Sequence, residues 1–196
     1  MQIFVIDPSH TDVSFAAKHM MVTTVRGKFG AVEGSLEIDP DAPERSGGEI
    51  RVVVASLSTG FEARDQHLRS ADFFDAENHP TIVFRATTIR ARRDDQYDVT
   101  GDMTIRDVTR PVTFQVELLG FYNGMTGARR IGLSARTKIN RKEWGLNWNV
   151  ALEAGGWLVG DEVRLEIDVA AEEAATVAAG ATEAGVTEDV AERSAA

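Results

Sequence analysis

Val163, Leu165, Ile167 and Val169 alternate with Glu162, Arg164, Glu166 and Asp168, so this stretch has one apolar edge and one charged edge. A period of two marks a β-strand that buries one face and wets the other. The same parity recurs upstream. Val13, Phe15 and Ala17 oppose Asp12, Ser14, Ala16 and Lys18, and Ile50, Val52 and Val54 share a face. Ile82, Phe84 and Ala86 align, as do Val99, Gly101, Met103 and Ile105. Val112, Phe114, Val116 and Leu118 form another row, and Leu133, Ala135 and Ile139 a further one. About eight strands result, and short connections make an up-and-down antiparallel order the simplest topology.

Two stretches depart from this rhythm. Between Val25 and Ile38 the apolar parity shifts from Phe29 to Val32 and Leu36 among Gly27, Gly30 and Gly34, which predicts a bulge or sharp bend. From about residue 60 to 71 the pattern turns helical. Thr59 and Glu62 have the spacing of a capping box, Phe61 and Leu68 fall on one face, and Asp65 can pair with Arg69. Asn78-His79-Pro80 then returns the chain to an extended form. The fold expected is all-β, with one short amphipathic helix.

With 196 residues, 43% of them hydrophobic, the chain can bury one good core, assigned to residues 1–170. Residues 171–196 are rich in Ala, Glu, Gly and Thr and bury too little to offset their ordering entropy, so they are expected to be a disordered tail. A net charge of -10 argues against a nucleic-acid partner, which demands a dense basic face. There is no cysteine for a disulfide or thiolate site, and no apolar run long enough to span a bilayer. The first residues lack a basic region and a cleavage site, which predicts a cytoplasmic protein.

Strands with one oily face close into a sandwich, a packed barrel or a barrel with a lumen. Here several strands are long, and the inward rows include Ala17, Ala86, Gly101 and Ala135, which fill a lumen poorly. A roomy barrel lined this way holds something long and apolar, while a barrel packed on its own side chains is the plain alternative.

Several ordered segments carry a resemblance to a known family. They are Asp7-Pro8-Ser9-His10-Thr11, Lys18 to Phe29, Ser56-Leu57-Ser58-Thr59-Gly60 and Arg64 to Ser70 with Asp72-Phe73-Phe74, followed by Pro80-Thr81-Ile82, Thr100 to Thr109 and Ile139 to Leu146. Together they resemble the YceI-like proteins, lipocalin-like barrels that bind polyisoprenoid lipids. Where that family usually carries glycine this chain has Asp107, and Trp144 stands where phenylalanine is often found. The resemblance implies an eight-stranded antiparallel lipocalin-like β-barrel with the helix near a mouth. It also implies a homodimer, and non-catalytic binding, storage or transfer of an isoprenoid-type lipid with no other cofactor.

Phe15, Ala17, Val54, Phe84, Met103, Phe114, Val116 and Leu133 are the expected lumen lining. His19, placed inward by parity, joins Arg26, Trp144 and Trp148 as expected rim or headgroup contacts. Four histidines invite a metal, but none forms a helical pair or a spaced cluster with carboxylates, so no metal site is expected. The rival reading is an enzyme acting on a hydrophobic substrate through Asp65 and His67, or His19. On a helix, however, residues one and two apart face different ways, and Arg64 and Asp65 serve better as fasteners of the helix. A third reading is a filled barrel acting as a structural or stress protein through its tail.

Overall fold

The computed structural model describes residues 1–124, 127–153 and 155–174. The expected tail falls almost wholly outside them. Eleven strands and one helix follow in order: β1 (Gln2–Ile6), β2 (Asp12–His19), β3 (Thr23–Phe29), β4 (Val32–Ile38), β5 (Gly47–Val53), β6 (Leu57–Ser58), α1 (Glu62–Arg69), β7 (Thr81–Arg93), β8 (Gln96–Ile105), β9 (Val108–Asn123), β10 (Arg129–Asn140) and β11 (Val159–Glu173).

Eleven strands make eight staves, because three staves are broken in the middle. β11 pairs with β2 through residues 159–168 and with β1 through residues 171–173, so β1 and β2 are two halves of one stave. Likewise β3 pairs with β2 and β4 with β1, and β5 and β6 flank β4 and β3. Every pairing is antiparallel between chain neighbours, and β11 closes the ring on the first stave. The barrel is thus the expected up-and-down, eight-staved, lipocalin-like one. Closure leaves no long free edge.

The three breaks lie in adjacent staves, and each is stitched to a neighbouring one. Asp7 donates its N–H to the carbonyl of Ala170 at 2.8 Å, and Thr11 Oγ1 lies 3.2 Å from both the N–H and the carbonyl of Ala170. In the next stave the N–H groups of Gly30 and Ala31 donate to the carbonyl and hydroxyl of Ser56, at 3.2 and 3.0 Å. Ser56 belongs to a 3-10 turn, Val54–Ser56, which is the third break. The parity shift after Phe29 is this corner. Backbone groups freed by the breaks thus find partners in a neighbouring stave, the first in unbroken β11 and the second in the third.

Two sequence expectations meet a different local geometry. β1 was hidden because Ile3-Phe4-Val5-Ile6 is continuously apolar. Phe4 and Ile6 are 0% and 4% exposed, whereas Ile3 and Val5 point outward at 52% and 51%. The helix occupies Glu62–Arg69, but Phe61 is its N-cap and no side chain caps it. The expected capping box is absent because Thr59 Oγ1 donates to Asp65 instead, and Thr59 N donates to Asp65 Oδ1 at 2.9 Å. Arg69 pairs with Glu62 at 3.6 Å and donates to the Leu57 carbonyl at 2.8 Å, so it does not pair with Asp65. Phe61 is 60% exposed, leaving Leu68 to face the core.

Candidate ligand-binding site

The inward rows of the staves do not meet in the middle. Val163, Leu165 and Ile167 of β11, Phe84 of β7, Val116 of β9 and Leu133 of β10 all point inward yet are only half-buried. In a filled barrel such residues would be inaccessible, since protein cores pack as densely as organic crystals. They line a cavity of about 240 Å³. A water needs roughly 10–15 Å³ of such space, so this void could hold about sixteen waters or more. Along β11 the lining runs from Val159 to Val169, roughly 33 Å of strand at about 3.3 Å per residue.

The walls are almost wholly apolar. Phe15, Ala17, Phe84, Met103, Phe114, Val116 and Leu133 all line the cavity. Val54 does not. The 3-10 turn Val54–Ser56 ends the period-two alternation and turns Val54 into packed interior, 1% exposed, away from the lumen. On the far side of the wall, Leu36, Ile38 and Ile50 extend the lining toward one end. At the other end Leu68, Phe73, Phe74 and Leu146 bring the helix and the loop before β11 over the lumen.

Of the residues expected at a rim, Trp148 and His19 stand at an end of the barrel without lining the cavity, and Trp144 and Arg26 lie elsewhere. Trp144 is 1% exposed, and its Nε1–H donates to the carbonyl of Met103 at 3.1 Å, so it is a buried strut of the wall. A buried indole needs such an acceptor. Trp148 packs edge-on against the His67 ring at 4.5 Å between centroids and lies 5.4 Å from Phe73, fastening the chain just after Gly145 to the helix end. Arg26 is exposed on the outer wall, and His19 is a half-buried end residue of β2 outside the cavity lining. None of the four lines the lumen.

Arg141 lines it instead. The residue is 3% exposed, and every guanidinium nitrogen is engaged. It donates to the carbonyls of Gly160 at 3.1 Å, Trp148 at 3.0 Å and Val159 at 3.4 Å, to that of Leu146, and to Asp161 Oδ1 at 3.3 Å. Burial pulls its pKa below the usual arginine range, and Asp161 works against that pull. Asn140 caps the 3-10 turn Arg141–Trp144 and Gly145 ends it in the left-handed region at φ 74°, a polar start and glycine stop readable in the sequence. This arginine holds the loop over the lumen and has little left for a headgroup.

The groups of the enzyme reading do not assemble. Asp65 is 3% exposed and committed to Thr59, while Arg64 donates to Thr59 Oγ1 at 2.7 Å and to its carbonyl at 3.1 Å. His67 pairs with Asp72 at 3.0 Å. Arg64 and Asp65 fasten the helix to Thr59, just beyond β6, and Arg69 fastens it to Leu57 within β6. Among the described residues no group of three His, Cys, Asp or Glu could hold a metal ion, and no helix is long and apolar enough to cross a membrane.

The YceI-like domain profile matches residues 4–171, the whole barrel. The chain belongs to the YceI-like family. The UPF0312 protein SA2479 of Staphylococcus aureus is 34% identical over 167 residues, which cover 85% of this chain and 95% of the relative. Among solved structures, Burkholderia cenocepacia BcnA superposes with a TM-score of 0.72 at 22% identity, covering 84% of this chain and 98% of that one. A polyisoprenoid binding domain from Saccharophagus degradans superposes with a TM-score of 0.67 at 12% identity, covering 89% of this chain and all of that one. At these identities the two structures speak for the fold. The barrel fold is therefore shared with them, and here the Asp7-Pro8-Ser9-His10-Thr11 segment makes the first broken stave.

Proposed function

We propose that this YceI-like barrel binds a long-chain lipid, of isoprenoid type, in its lumen without chemical change, for storage or transfer. The observation that carries this reading is the incomplete burial of Val163, Leu165 and Ile167 inside a closed barrel, facing an apolar void lined along β11 from Val159 to Val169. The description of the Saccharophagus degradans domain as polyisoprenoid binding supports the choice of ligand class. A hydrocarbon chain suits walls that offer almost no polar partner, because the driving term is area removed from water. At about 0.8 kcal/mol per buried methylene, about ten buried carbons contribute about 8 kcal/mol before the cost of association.

The test is organic extraction of the purified full-length protein followed by mass spectrometry, beside a control denatured, stripped and refolded. A stoichiometric long-chain lipid, absent from the control and restored on incubation with lipid, supports the reading. A protein that carries none and takes up none defeats it.

A further inference from the structure

The turn between β2 and β3 carries a combination that fold stability does not explain. Met20 and Met21 adopt φ of 51° and 61°, the left-handed region, where an L side chain costs about 1 kcal/mol or more. Hairpin turns with two such residues usually hold Asn-Gly. Here two methionines and Val22 stand at the tip instead, 48%, 70% and 79% exposed. Three consecutive large apolar side chains are thus held in water on a strained turn.

The tip continues into a second exposed apolar group. Met20 N donates to the Leu158 carbonyl at 2.8 Å, and a Cβ on Gly156 would lie 2.5 Å from Met21 Sδ, so Met21 sits over Gly156. Beside it Trp157 is 53% exposed, and Leu158 N donates to the carbonyl of Val150, itself 45% exposed. Lys142 Nζ lies 6.0 Å from the Trp157 ring centre while pairing with Asp161 at 2.8 Å. His19 pairs in register with Val159, so this patch crowns the barrel end where Ala17, Val159 and Arg141 line the lumen.

Charge selects the occupant. In a chain of net charge -10, residues 13–32 contain no Asp or Glu and carry Lys18, Arg26 and Lys28. All three are exposed on the outer face of the hairpin, and among the described residues none pairs with a carboxylate. Exposed acids border it, Glu162 and Glu166 on the outer face of β11 and Glu153 in the neighbouring loop, so the excess of positive charge belongs to the hairpin itself. An anionic lipid surface would repel most of this molecule and attract the β2–β3 hairpin, while Met, Val and Trp side chains suit the interfacial zone of a bilayer.

We propose that the β2–β3 tip, with Trp157 and Val150 beside it, docks on an anionic lipid bilayer and orients the lumen end toward it. Its role in lipid exchange rests on the lumen reading above. The test uses the full-length protein with vesicles of phosphatidylcholine alone and of phosphatidylcholine mixed with phosphatidylglycerol, followed by co-sedimentation and tryptophan emission. The wild type is expected to bind the mixed vesicles with a blue shift that Trp157→Phe removes.

The double change Met20→Asn with Met21→Gly should relieve the turn and raise the melting temperature, yet reduce vesicle partitioning about tenfold. Lys18→Gln with Arg26→Gln should weaken binding to mixed vesicles and leave the residual binding less sensitive to salt. Undiminished partitioning of the Met20/Met21 variant overturns the docking site, as does a variant whose only change is loss of self-association, which would assign the patch to a second copy. Extraction of the same variants separates the two readings. Lipid absent from a chain that still docks through its tip refutes the lumen reading alone.

Discussion

Arg141 Nη1 donates to the carbonyl of Trp148 at 3.0 Å, and Trp148 in turn stacks edge-on against His67, 4.5 Å between ring centres. One buried guanidinium therefore joins the end of β10, the loop over the lumen and the helix at the mouth. Arg141→Ala leaves several buried carbonyls without a donor and should cost about 3–5 kcal/mol in urea unfolding. Arg141→Lys should recover only part of that loss, because an ammonium cannot reproduce the planar fork. Full rescue by lysine would mean that charge, not geometry, holds the loop.

Ala86 and Ala135 line the lumen from β7 and β10, and each leaves room where a larger side chain would stand. Ala86→Phe combined with Ala135→Phe should fill the void from two walls and lower the lipid-to-protein ratio on extraction several-fold. The melting temperature should hold or rise, since space is filled and no core contact removed. An unchanged lipid ratio in the folded variant would place the ligand elsewhere.

Asp7 accepts hydrogen bonds from Ser9, pairs with His10 at 2.8 Å and meets Arg130 at 3.1 Å. The Ser9 hydroxyl first, and His10 next, lower its pKa from 3.8 to about 2, against some opposition from burial. Since the folded state holds this carboxyl below its unfolded value, its stabilisation is present above about pH 4 and is lost as pH falls toward 2. Melting curves between pH 5 and pH 2 should therefore fall less steeply for Asp7→Asn, which starts from lower stability. Parallel curves would remove Asp7 from the account.

The two-residue turn between β8 and β9 puts Arg106 and Asp107 at φ of 50° and 62°. A glycine at the second position adopts that region without steric cost. Asp107→Gly relieves that strain and gives up only an exposed pairing with His79 at 3.2 Å, in which the carboxylate is 87% accessible. Surface pairs of this kind contribute little. Stability should rise by up to about 1 kcal/mol by chemical unfolding, and a loss would show that the His79 pairing matters more than the backbone.

The staves were legible because period-two alternation survives wherever one face is oily and the other wet. It failed at β1, where outward Ile3 and Val5 are also apolar, and at Val54, where a 3-10 turn interrupts the period. Trp144 and Arg141 show a different limit. In the same short turn, the tryptophan expected at the rim became a strut bonded to Met103, and the arginine became the buried staple. Which side of a turn faces the core depends on the partner strand, and no local pattern records that.

The sequence by itself determined an antiparallel β architecture, the eight staves into which the eleven strands assemble, the helix near residues 60–71 and the oily character of the inward rows, all consequences of neighbours along the chain. Only the tertiary structure decided that the first three staves break together at one corner, that the inward rows stand apart around a void, and that Asp65 and Arg141 are spent on holding loops. Alternation fixes which way a side chain points. How far it then reaches toward the opposite wall depends on closure of the ring, which joins residues more than a hundred positions apart, as the pairing of β1 with β11 does.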